Sequence, residues 1–60
     1  MRFNDRVIVS VNQDGVIYYL SVTGDLLPYR CRLCVMPYQA AVKRAARLRT
    51  RYKDVTIEKI

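Results

Sequence analysis

The chain has no histidine and no tryptophan, only two cysteines, two glycines and two prolines among 60 residues, and no acidic residue between positions 28 and 53. Each shortage excludes something. Without histidine, acid–base chemistry lacks its commonest carrier near neutral pH, and Cys31 and Cys34 alone cannot complete the four-ligand set of a structural zinc site within one chain. Two cysteines are also too few for the disulfide frameworks that hold small secreted domains together, which points to a reducing compartment and a cytoplasmic chain. There is no glycine-rich phosphate loop. No run of about 18 apolar residues could span a bilayer, and the opening "MRFNDRVIVSV" lacks the apolar stretch of a signal peptide. Three of the five carboxylates, Asp5, Asp14 and Asp25, fall where turns or strand ends favour them, so no pair converges for general acid and base work. The expectation is a non-enzymatic protein with no cofactor, no metal and no membrane partner.

What is present is the composition of a globular chain, 52% hydrophobic and 27% charged. Residues 1 to 60 read as a single small domain, which buries only about 60% of the surface its unfolded chain exposes. The net charge of +6 is unevenly placed. Residues 28 to 53 carry eight Lys or Arg and no Asp or Glu, whereas the rest carries three basic and five acidic residues. A partner with negative charge is the direct implication.

In "RVIVSVNQDGVIYYLSV" two alternating runs flank Asp14-Gly15, a dipeptide suited to a type I′ hairpin turn. That turn pairs Gln13 with Val16, then Val11 with Tyr18, Val9 with Leu20 and Val7 with Val22. The other face collects Arg6, Ile8, Ser10, Asn12, Ile17, Tyr19 and Ser21. Between Pro28 and Pro37, "PYRCRLCVMP" alternates Tyr29, Cys31, Leu33 and Val35 with Arg30, Arg32 and Cys34, which predicts a third strand over 29 to 35. Residues 6 to 35 thus read as a three-stranded antiparallel meander.

Pro37 suits the first turn of a helix, and "YQAAVKRAARLRTRYK" is rich in helix formers, so the helix is expected from Pro37 to Lys53. At about 100° per residue, Tyr38, Ala41, Val42, Ala45, Leu48 and Tyr52 share a stripe that packs on the meander. Lys43, Arg44, Arg47 and Arg51 cluster opposite, and Arg49 falls inside the stripe, from which it must snorkel outward. "VTIEKI" alternates as a short last strand beside the first or the third, at a crossover length compatible with parallel pairing. The fold class is α+β: a three-stranded antiparallel meander, one amphipathic helix on one face and a short C-terminal strand, in the order β-β-β-α-β.

The spacing Cys31-x-x-Cys34 would suit a metal or redox loop, but on a strand the two thiols point to opposite faces and cannot chelate. The expectation is a core thiol at Cys31 and an incidental half-exposed one at Cys34. The basic residues then form two surfaces: the helix face with Lys43, Arg44, Arg47 and Arg51, and the outer sheet face with Arg6, Tyr19, Arg30 and Arg32. Arginine neutralises phosphates and stacks on bases, and an exposed tyrosine offers a stacking platform.

Over residues 6 to 53 the order of elements resembles the small domains of plant ethylene-response factors and phage-integrase arm-binding modules, which lay a sheet in the DNA major groove. The resemblance is one of architecture and assigns no binding residue. Size and composition also resemble those of very small bacteriophage accessory proteins. The function expected is a basic binding module contacting DNA or RNA. The alternative is a small phage-type regulator or inhibitor that docks through the same basic surface on an acidic protein partner, such as a nucleic-acid-processing one, or that acts by forming a homodimer. An apolar patch of Ile8, Ile17 and Tyr19 on the outer sheet would favour that alternative.

Overall fold

The computed structural model describes residues 2–60. Strand β1 (Arg6–Gln13) is the centre of the sheet and β2 (Val16–Leu20) returns beside it. Asp14 and Gly15 both take positive φ, 54° and 86°, the backbone that lets a two-residue turn follow the twist of its strands. The Asn12 carboxamide accepts the Gly15 N–H at 3.0 Å and closes the turn. The register follows: Gln13↔Val16, Asn12↔Ile17, Val11↔Tyr18 and Ser10↔Tyr19. An added Cβ at Gly15 would meet nothing, so the backbone angle alone penalises a side chain there. Gly15→Ala is expected to cost about 1 to 2 kcal/mol, read as a lowered urea midpoint with an unchanged m-value.

The hairpin ladder ends sooner than the alternation implies. Ser21 anchors a tight turn, its N–H donating to the Asp25 carbonyl (2.8 Å) and its hydroxyl accepting the Asp25 N–H (3.1 Å), with Gly24 at φ 98°. Val22 therefore faces solvent and does not pair with Val7. The chain then forms β3 (Leu26–Leu27), paired as Leu20↔Leu26 and Tyr19↔Leu27, which Pro28 ends by removing the next donor.

The third strand is thus this two-residue piece, and 29 to 35 is not a strand. Arg32–Cys34 is a 3-10 turn, with the Cys34 N–H bonded to the Cys31 carbonyl (3.0 Å) and the Val35 N–H to that of Arg32 (3.2 Å). Tyr29 and Leu33, expected inward, are 58% and 55% exposed. The loop is strapped to the turn after β2 by the Val22 N–H on the Leu33 carbonyl, 2.7 Å. It delivers β4 (Met36–Pro37), which takes the place beside β1 that β2 has vacated, as Val7↔Met36 and Arg6↔Pro37.

The helix α1 (Tyr38–Leu48) follows at once. Its first N–H groups are satisfied by backbone, Tyr38 on the Asp5 carbonyl (2.8 Å) and Gln39 on that of Phe3 (3.4 Å). It stops five residues short of Lys53: the Thr50 hydroxyl donates to the Arg47 carbonyl (2.7 Å), and the Arg51 and Tyr52 N–H groups both fold back on Leu48. Ala41 and Ala45 are fully buried, and their small side chains let the helix lie close on Val7, Val9 and Val11; Val42, expected on this face, is 41% exposed. Arg49 turns out of the stripe to donate to the Val55 carbonyl at 3.2 Å.

Strand β5 (Asp54–Lys59) lies along the other side of β1, antiparallel, from Val7↔Lys59 to Asn12↔Asp54. Because β4 is also antiparallel to β1, β4, α1 and β5 form a crossover whose two strands run the same way with β1 between them. The result is an α+β domain, an antiparallel sheet with one helix on one face and the last strand bonded to the first. Among the described residues no helix is long and apolar enough to cross a membrane.

Candidate functional site

The sequence groups eight residues on two surfaces; the structure distributes them over four places. The first is an open cleft of about 690 Å³ between the end of α1 and the turn after β2, lined by Arg44, Arg47, Thr50, Arg51 and Tyr52 together with Leu20, Gly24, Leu26 and Leu48. The lining arginines come from one side of the last turns of α1 and the residues just past it. There the partial negative charge of the helix end favours cations. Arg44 is half-buried and its guanidinium lies 3.5 Å from the Ser21 carbonyl; Arg47 and Arg51 are exposed. Only two ion pairs occur among the described residues, Arg30–Glu58 and Lys59–Asp5, so no carboxylate neutralises the cleft through such a pair.

The second place is a groove of about 620 Å³ lined by Arg6 and Arg32 with Asn4, Val35, Met36 and Pro37. The third is the outer sheet face, where Arg30 lies over the Tyr19 ring, 5.4 Å from its centroid, and also pairs with Glu58. Tyr19 sits on β2 opposite Ser10, and Glu58 on β5 opposite Ile8. Arg30 therefore spans three strands, crossing β1. Beneath this span the Ser10 and Thr56 hydroxyls bond at 2.7 Å, and Ile8 is only 5% exposed. Tyr19 is half-buried under the guanidinium and is not an open stacking platform. The fourth place is Lys43, exposed on α1 away from the cleft lining.

Arg30 acts as a strap. Both partners of its ion pair are about half exposed, and such pairs contribute about 0 to 1 kcal/mol. Arg30→Gln is accordingly expected to lower stability by less than about 1 kcal/mol in a urea titration.

Sequence reasoning missed Tyr52 and Thr50 as cleft residues. Tyr52 was expected only in the apolar stripe, and it does pack half-buried against the core while also forming a cleft wall. The cysteines are also reversed: Cys34 is fully buried and Cys31 partly exposed. Comparison with protein-family models, curated proteins and solved structures finds no match for this chain.

Proposed function

We propose that this chain is a nucleic-acid-binding module whose principal contact is the arginine cleft at the end of α1. The observation that carries this reading is the convergence of Arg44, Arg47 and Arg51 on one open cleft with no ion-paired carboxylate. Guanidinium groups gathered in one cleft suit phosphates, and the Tyr52 ring adds an aromatic wall of the kind bases stack on. Arg6 and Arg32, likewise outside both ion pairs, extend the basic surface in a second groove.

The outer sheet bears on the rival reading, a regulator or inhibitor docking on a protein. That reading is favoured by Ile8, Ile17 and Tyr19 exposed together, but Ile8 is covered and Tyr19 lies under Arg30, leaving Ile17 alone at 46% exposure. The outer sheet thus adds nothing to the rival reading, which then rests on the same basic residues. The test is a fluorescence-anisotropy titration against mixed-sequence single- and double-stranded oligonucleotides across a salt series. Binding should weaken steeply as salt rises. No retention at low salt, or a flat salt response, refutes the reading; capture of an acidic protein that survives nuclease treatment replaces it with the rival.

A further inference from the structure

The two thiols take no part in the cleft or in the helix–sheet core cluster, yet the 3-10 turn brings them together: the Cys31 and Cys34 Sγ atoms are 3.9 Å apart. We propose that Cys31 and Cys34 are a redox-active dithiol, a modification site that small disulfides such as oxidised glutathione convert to an intrachain disulfide. The backbone is already arranged for it. The Cys34 N–H on the Cys31 carbonyl closes a turn whose end Cα atoms lie within about 7 Å, near the span a disulfide bridges, so side-chain rotation supplies most of the remaining approach.

The two sulfurs differ in access. Cys31 is partly exposed at the start of the turn, whereas Cys34 is fully buried and burial pushes its thiol up from its ordinary value. Cys31 is therefore the attacking group and Cys34 the resolving one. The Cys31 thiolate attacks one sulfur of the small disulfide, whose S–S bond breaks; the departing thiolate takes up the proton that Cys31 released. The Cys34 sulfur, giving up its own proton, then attacks the Cys31 sulfur and displaces the second small thiol. Two protein thiols are oxidised, and the two electrons and two protons leave on the two small thiols.

A metal is the other use of such a pair, but among the described residues no group of three or more His, Cys, Asp or Glu side chains gathers. A second copy would have to bring its thiols to the fully buried Cys34. The disulfide needs no such approach. Its formation would lock the turn carrying Arg32 and Leu33, and with it the Leu33 carbonyl that holds Val22.

The test incubates the full chain in glutathione buffers of graded oxidation, quenches with acid, alkylates under denaturing conditions and reads intact mass. The native chain is expected to lose two hydrogens, take up no alkylating agent and remain a single chain on a non-reducing gel. Cys34→Ser should stop at one glutathione adduct on Cys31, and Cys31→Ser should react at Cys34 at least about tenfold more slowly than that. Two alkylatable thiols persisting in fully oxidised glutathione would overturn the proposal. So would disulfide-linked chains as the main product, equal rates for the two variants, or one zinc ion retained per two chains with all four thiols protected. None of these outcomes depends on oligonucleotide binding, and the wild-type mass measurement stands even if a variant does not fold.

Discussion

The triple variant Arg44→Gln, Arg47→Gln, Arg51→Gln is expected to lose most of the salt dependence of oligonucleotide binding. Each arginine–phosphate contact contributes about 0.9 to the slope of log affinity against log salt on duplex and about 0.7 on single strands. Three lost contacts lower the slope by about 2 to 3. Between 50 and 200 mM salt the wild type should therefore weaken about 20- to 40-fold more than the variant. Arg47 and Arg51 are exposed and make no ion pair, so their loss leaves the fold intact to within about 0.5 kcal/mol. Arg44 also reaches the Ser21 carbonyl, and the double variant that spares it separates binding from this contact. An unchanged slope in the triple variant, with wild-type circular dichroism, would remove the cleft from the interface.

The largest effect on stability is expected at Met36. It is 3% exposed, sits on a strand of only two residues and fills the space under α1 beside Val7. Truncating a buried methionine to alanine costs about 2 to 5 kcal/mol. A 60-residue domain at about 0.05 to 0.15 kcal/mol per residue has only about 3 to 9 kcal/mol in total. Met36→Ala should therefore lose a large share of its stability, about half at the middle of both ranges, seen as a marked fall of the urea midpoint. Val42→Ala, at a position 41% exposed, should shift that midpoint by less than about 0.5 kcal/mol equivalent. If the two variants denature together, β4 is not packed as described.

This pair of residues also marks where the sequence could be read and where it could not. Val42 fits the helical stripe by angle, and Val35 and Leu33 fit a strand by alternation, yet Met36 is the residue that enters the core. A period of two over seven residues describes a strand and an irregular loop equally well. What decided between them was the Ser21–Asp25 turn, which ends β2 early and opens a place beside β1 for a later segment. The hairpin was legible because Asp14-Gly15 sets its register locally. The helix and its Ala41 and Ala45 face were legible from spacing, but its end at Leu48 was not.

The candidate site was legible by residue type and not by grouping. A step of three on α1 puts Arg44 and Arg47 near one another, but Arg51 joins them only through the turn past Leu48, and their facing Gly24 and Leu26 depends on where the turn after β2 comes to rest. Arg30 looked equivalent to Arg32 in the sequence. It differs because β5 lies beside β1 and brings Glu58 within its reach, a relation between residues 28 positions apart that no local pattern records. The cysteine pair is visible as a motif, but the strand that its alternation predicts would separate what the 3-10 turn unites.

The position of β1 between β2 and β5 has a kinetic side. Its pairs with β2 join residues a few positions apart and can form in about 1 to 10 μs, as hairpins do. Its pairs with β5 join residues about 40 to 50 positions apart, so the chain must close a long loop before any of those contacts compensates the lost entropy. Until β5 docks, one side of the most apolar strand lies open to pairing with a neighbouring chain, an aggregation hazard confined to the folding interval for that strand; in the folded sheet the open edge on that side is that of β5 itself.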